Sequence, residues 1–328
     1  MKRIALYKYL LGGLMMAVTA ACSGSEDDNT LPSPIEDMPK TVRLTITQTG
    51  DENGSANARL LDGTRATLNV NNQNDKVLDA SWTANDGLTY YNLNQQFIND
   101  HLTYVFGQLT ATETATKSSF TGDVTCYEGN KLAVIYPATS FTAGTEIQPY
   151  SITLSGQDGT LGTLATTFHH VYGVATVGPV VGTTATATMP KMKSLLTVCK
   201  FSFIDESNSS PISVKTLSIG FTNGVVGQAD AGKYPQSATV TPYEDQTQVH
   251  ATAVTGSSTP LTIKLSQASN EVYEVYVALL PTPTDATQPI SFTFTVNDGT
   301  NTYSGTARAY LHEGKYVVAT GLKLTKTN

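Results

Sequence analysis

Imidazoles, carboxylates, hydroxyls and thiols carry most protein chemistry, and this sequence spaces them in ways that support little of it. Histidine titrates nearest neutrality and is the commonest metal ligand. The chain has five: His101, His169, His170, His250 and His312. None stands in an H-E-x-x-H spacing or beside a cysteine pair, so no zinc site is expected. The adjacent pair lies in FHHVYGVATV, where neighbours on a strand point to opposite faces, so His169 and His170 share one site only if a bulge intervenes. Glu244/Asp245 and Glu271/Glu274 are the carboxylate pairs that glycoside hydrolysis would need, but they sit in polar, turn-like surroundings and read as solvated faces. No G-x-S-x-G or S-x-x-K element occurs in a strand-turn-helix context, and no glycine-rich phosphate loop is present. The oxygens of Asp298 and Asn301 belong to an Asn-Asp-Gly turn rather than to a calcium loop. Trp82, the single tryptophan, is expected in the core, since a sugar platform needs further aromatics beside it. The reading is of a non-enzyme without cofactor or metal.

One thiol is placed for chemistry of another kind. Lys2, Arg3 and Lys8 precede an apolar run from Tyr9 to Val18 that is too short to span a bilayer. It ends in Thr19-Ala20-Ala21-Cys22, which resembles the bacterial lipobox, whose cysteine is acylated before cleavage. Residues 1–21 are therefore read as a lipoprotein signal peptide, with Cys22 as the lipidation site. Residues 22–41 follow as a flexible acidic tether, too poor in apolar surface to offset ordering entropy. Its Glu26, Asp27 and Asp28 resemble the signal that sends Bacteroides-type lipoproteins to the outer face of the outer membrane. Of the 20 basic residues, three lie in the signal segment, so 17 remain against 27 acids. Such a surface argues against nucleic acid as a partner. Cys126 and Cys199 remain, enough for one disulfide; Cys199 lies in an apolar run where a small buried hydrophobe is the simpler account.

The elements that would position these groups are strands. Val42, Leu44 and Ile46 alternate with Arg43, Thr45 and Thr47. The same period of two marks Ile152/Leu154, Leu217/Ile219/Phe221, Leu261/Ile263/Leu265, Tyr273/Val275/Val277/Leu279 and Ile290/Phe292/Phe294/Val296. Asn297-Asp298-Gly299 turns the last of these into a second strand from Tyr303. Turn signals fall at Asp86-Gly87, Gly122-Asp123, Gly156, Gly159 and Asn223-Gly224. NLNQQFINDHL and MPKMKSLL are the only stretches with short helical character. A break around Gly182 to Lys193 divides an N-terminal β-sandwich domain, residues 42–190, from a C-terminal one, residues 191–328. Charged residues are only 14%, which suits an all-β fold.

Several landmarks together resemble the fimbrillin family, the type V pilus subunits of Bacteroides-type bacteria. They are Thr64-Arg65-Ala66-Thr67, SWTANDGLTYYNL, KLAVIYPAT, MKSLLTVCKFSF, VYEVYVALLPT and LHEGKYVVATGLKL. The resemblance implies two tandem transthyretin-like antiparallel β-sandwich domains and assembly by strand exchange. In that process an arginine-specific protease removes an N-terminal strand, and a C-terminal strand from another subunit fills the groove. Carried onto this sequence, Val42, Leu44 and Ile46 mark the removable strand and Arg59 and Arg65 the cut sites. Tyr316, Val318, Leu322 and Leu324 mark the donor strand. Expected partners are other pilus subunits or further copies of the chain, the outer membrane through the lipid anchor, and host or bacterial surface ligands. The alternative is a glycan-binding outer-membrane lipoprotein of a nutrient-uptake system, for which the 16 tyrosines supply aromatic candidates.

Overall fold

The alternation along VRLTITQ is realised as strand β1 (Lys40–Gln48), with Val42, Leu44 and Ile46 inward. A computed structural model of the chain describes residues 39–49, 61–62, 67–71, 74–222, 231–253, 258–265, 271–282 and 288–327. Cys22 and tether residues 22–38, Arg59, Arg65 and Asn223-Gly224 lie outside the described residues. Lys40 and Thr41, read as the end of the tether, instead open β1, where they pair with Cys126 and Thr125.

Six further strands join β1: β2 (Gly87–Asn92), β3 (Phe106–Ala111), β4 (Ser119–Cys126), β5 (Lys131–Tyr136), β6 (Val171–Val181) and β7 (Thr184–Met189). Pairing runs β5-β2-β3-β4-β1-β7-β6, and β6 pairs back onto β5, so the sheet closes into a seven-stranded ring. The sequence pattern suggests two facing sheets; here the hydrogen bonding continues around both. Trp82 anchors the interior, fully buried and edge-on to Phe120 at 4.8 Å and Tyr136 at 5.4 Å, an arrangement aromatic quadrupoles favour.

Three local expectations change. QFINDHLT is a hairpin, Gln96–Ile98 against His101–Thr103, turned by Asn99 and Asp100 at φ of 50° and 63°. Two successive left-handed residues make the tight turn that matches strand twist, and Asn and Asp tolerate it best after glycine. MPKMKSLL is extended, its Lys193–Ser194 pairing with β6 while Met189 and Met192 bury. Gly122 lies within β4 rather than in a turn, because a Cβ there would come within 2.4 Å of the Gln108 carbonyl oxygen. Gly182, at φ +61°, turns β6 into β7, so the stretch read as a break begins with a hairpin.

The second sheet takes β8 (Thr197–Asp205), β9 (Thr216–Phe221), β10 (Leu261–Lys264), β11 (Val275–Leu279), β12 (Ile290–Asn297), β13 (Thr302–Ala309) and β14 (Tyr316–Lys326). Their order is β10-β9-β12-β13-β14-β8-β11, leaving β10 and β11 as edges. The β12–β13 hairpin turns as the sequence indicates: Asp298 accepts from the backbone N–H groups of Thr300 and Asn301. Met38–Asn328 forms one contact unit. One of its cores joins Leu68, Leu78, Phe168 and Tyr172 to Val198, Phe201, Phe294 and Val296 of the second sheet; the other lies inside the ring.

The β11 edge is capped from outside its sheet. The Gln157 side chain accepts from Ala278 N at 2.7 Å and donates to Ala278 O at 3.0 Å, copying with one amide what a neighbouring strand would do. Tyr276 N donates to Gly159 O at 3.0 Å, and Leu280 N to the Tyr234 hydroxyl at 2.9 Å. Alternate residues of the edge are thus satisfied, which hides it from other chains. Gly159 makes the approach feasible: its φ is +78°, and a Cβ would lie 2.9 Å from Val275 Cγ1. Replacing Gln157 by Leu leaves two buried backbone groups unpaired. It is expected to cost about 2–5 kcal/mol in chemical denaturation, with a rise in self-association by sedimentation velocity.

Candidate functional site: the slot of the leading strand

Strand β1 is held by a double row of backbone hydrogen bonds to strands far away in sequence. Against β4 it runs antiparallel, from Lys40↔Cys126 to Thr47↔Ser119; against β7 it runs parallel, from Arg43↔Thr184 to Gln48↔Met189. The ends are fixed by Arg43 N to Thr183 O at 2.9 Å and Thr49 N to Met189 O at 2.8 Å. Val42, Leu44 and Ile46 are 1%, 0% and 0% exposed and pack in the ring with Trp82, Phe120 and Leu132. Burying three such side chains contributes roughly 5–9 kcal/mol. The outer face adds little: Arg43 and Asp123 are 3.4 Å apart and exposed, a geometry worth about 0–1 kcal/mol. Withdrawing β1 would leave an apolar slot bounded by two unpaired strand edges.

Strand β14 has a matching arrangement in the second sheet, parallel to β8 and antiparallel to β13. A register shift between Phe201 and Phe203, with Gly321 at φ +67°, puts a bulge in its middle. In a parallel pair, partners share a face, so the bulge divides the four residues marked as a donor row. Tyr316 and Val318 lie with Val198 and Lys200, whereas Leu322 and Leu324 lie with Phe203 and Asp205. Val317 and Ala319 stand on the face of Leu322 and Leu324, opposite Cys199 and Phe201.

Several groups capable of other chemistry have structural roles. Cys126 and Cys199 are unpaired and buried in different cores. Burial pushes the Cys126 thiol up to about 11 and Cys199 higher still, the reverse of activation. Glu274 pairs with the buried Lys200 at 2.7 Å, Glu313 bridges Lys193 and His250, and Asp245 caps a short turn through Thr247 N. Among the described residues no group of three or more His, Cys, Asp or Glu side chains is placed to hold a metal. Tyr243, Tyr273 and Tyr310 are the exposed tyrosines among the described residues.

No family model matches the chain, and no curated protein matches it. Among solved structures, a candidate cell adhesion protein from Bacteroides uniformis is 18% identical with a TM-score of 0.46, over 76% of this chain and 93% of that one. Another, from Bacteroides eggerthii, is 13% identical with a TM-score of 0.40, over 87% and 88%. The shaft pilin SpaA from Lactobacillus rhamnosus GG is 9% identical with a TM-score of 0.33, over 89% and 99%. At these identities and scores the likenesses assign nothing to this chain.

His169 and His170 precede β6 rather than lying within it. They follow a helical turn, Leu161–Thr163, that continues as a π-turn, Leu164–Phe168. The turn is nucleated by Asp158, which accepts from Thr160 N at 3.0 Å and Thr163 Oγ1 at 2.7 Å. His170 Nε2 is buried without a hydrogen-bond partner. Burial, with His169 beside it, holds the imidazole down to about 3. The folded protein therefore keeps His170 neutral where the unfolded chain, titrating near 6.5, takes up a proton. Stability should fall as pH drops from about 6.5 toward 3, by about 2 kcal/mol between pH 7 and 5. Denaturation across that range should show a shallower slope for His170→Asn.

Proposed function

We propose that the chain is a cell-surface lipoprotein of the fimbrillin kind, a structural or accessory pilus subunit that serves adhesion and assembles by β-strand exchange. The observation that supports this reading is β1: a strand distant in sequence from both neighbours, supplying a row of three buried aliphatic side chains to a ring it closes. Its removal would trade roughly 5–9 kcal/mol of apolar burial for a slot matched to an extended segment with aliphatic residues at alternate positions. Refilling by another chain is β-augmentation, with main-chain bonds for strength and side-chain pockets for register.

Cys22 delivers the chain to the outer membrane in this reading, and Arg59 or Arg65 is where β1 is severed from the body. The two cuts differ. Leu61–Asp62 pairs in parallel with Leu78 and Asp79, so a cut at Arg59 keeps that contact, whereas a cut at Arg65 releases it with β1 and bares a second edge. Arg59 is the less disruptive site. As donor, β14 would leave its place between β8 and β13 and bring a bulge with it, so its two halves present different rows. The division into transthyretin-like domains at residues 42–190 and 191–328 belongs to the same proposal.

Mass spectrometry of the chain isolated from cells should find a mature N-terminus at Leu60 or Ala66, and unheated gels of the outer membrane a ladder that collapses on boiling. A diacylated Cys22 terminus together with a monomer under all conditions would sink the proposal. Leu44→Asp, which places a charge in the ring interior, should destabilise the uncut chain by about 3 kcal/mol or more.

A further inference from the structure

A further strand edge among the described residues is capped at a single point. Tyr150–Thr153 belongs to a three-stranded sheet with Ser237–Val240 and Thr252–Ala253, and it pairs only with Ser237–Val240, as Tyr150↔Val240 through Thr153↔Ser237. The phase of that ladder is fixed by Leu154 N donating to Gln236 O at 2.8 Å. Antiparallel strands exchange bonds at every second residue, so Tyr150 and Ile152 face the partner strand. Ser151 and Thr153 turn their backbone N–H and C=O groups the other way. On the second strand the phase agrees, since Thr239 O faces Thr252, whose Oγ1 donates to it at 3.2 Å.

The free side opens on a groove of about 350 Å³. Ala138 and Thr139 line it together with Tyr150–Thr153, as do Thr166, Thr167 and His170. Thr139 is held by exchange with the Thr89 hydroxyl, its N–H donating at 2.9 Å and its C=O accepting at 2.7 Å. His170 bonds the Thr153 backbone. The groups at Ser151, and the N–H of Thr153, remain to be met from the groove. No Asp, Glu, Lys or Arg lines it, so nothing there offsets the desolvation of a charged ligand.

We propose that this groove is a β-augmentation site for an extended, uncharged peptide segment of a partner protein, laid along Ser151 and Thr153. The free groups recur at every second residue of an extended strand, the spacing at which another backbone offers its complements. A neutral lining with several hydroxyls selects small or hydroxylated side chains over acidic or basic ones. The site is independent of the slot of β1 and stands whether or not that strand is ever removed.

The test uses the full chain and a capped, uncharged Thr-Val-Thr-Val-Thr-Val peptide. At millimolar peptide, hydrogen exchange at the Ser151 and Thr153 amides should slow roughly tenfold or more, with amide NMR shifts confined to the groove. The same peptide N-methylated at alternate residues should do neither. Ala138→Arg, which fills the groove from an exposed position, should abolish both effects while leaving the fold intact. Ser151→Pro removes an N–H that takes no part in the existing ladder and should act likewise. Unchanged exchange with the peptide, equal binding of the methylated form, or the same shifts with a neutral oligosaccharide such as maltotriose would each overturn the proposal.

Discussion

An extended strand carries N–H and C=O groups along both sides, and each such group shut away from water without a partner costs on the order of 1–3 kcal/mol. In this protein that requirement meets a row of aliphatic side chains in β1. Val42, Leu44 and Ile46 cannot fill the ring unless the backbone between them is paired to β4 on one side and β7 on the other. The two demands are satisfied together or lost together. Closure of the ring and cover for Trp82 and Phe120 depend on one nine-residue strand. The β11 edge meets the same demand by other means, with the Gln157 amide, the Gly159 carbonyl and the Tyr234 hydroxyl standing where a strand would lie.

Parallel pairing of β1 with β7, and of β14 with β8, has a topological consequence. A parallel partner cannot be reached through a short hairpin, so β7 lies far from β1 in sequence and β8 far from β14. β4 is distant from β1 as well, whereas β13 runs directly into β14. β1 is the first described strand and β14 the last, and each lies between one antiparallel and one parallel partner. They share that pattern of directions in two different sheets, one closed and one open. Their interiors differ: β1 keeps one uninterrupted row, while β14 changes face at Gly321. The likeness is therefore one of direction, and it extends neither to connectivity, since β14 follows its partner β13 directly, nor to side-chain register.

Much of the scaffold was legible because period-two alternation is a direct record of burial. Val42/Leu44/Ile46, Leu217/Ile219/Phe221 and Ile290/Phe292/Phe294/Val296 all point inward as the pattern indicates, and Asn297-Asp298-Gly299 turns where turn chemistry says it must. What the pattern misses is decided by contacts between distant residues. Gly122 resembles a turn glycine yet sits mid-strand, since the reason for its missing side chain is a carbonyl on β3. Gln157 is one polar residue among many until Ala278 is beside it. The Gln96–Ile98 hairpin was masked because its Phe97 and Leu102 are exposed, so its apolar residues do not report a buried face; Asn99-Asp100 was the usable signal. The bulge in β14 shows only as a glycine in an otherwise regular run.

The two cores divide the consequences of losing β1. Everything β1 buries belongs to the ring core, whereas Leu68, Leu78 and Ala80, which follow the candidate cut sites in sequence, belong to the core shared with the second sheet. Strand Asn74–Ser81 lies against β14, and Gln157 ties the segment between β5 and β6 to β11. A chain without β1 would keep these attachments, so its damage would be confined to the ring while the shared core stays packed as a fixed frame. Confinement matters physically because a slot accepts a replacement strand in register only if its walls, β4 and β7, keep their spacing. Both walls have a second neighbour within the ring, β3 for β4 and β6 for β7. Opening the β1 position converts a closed ring into an open sheet whose two new edges are still held, each from its far side.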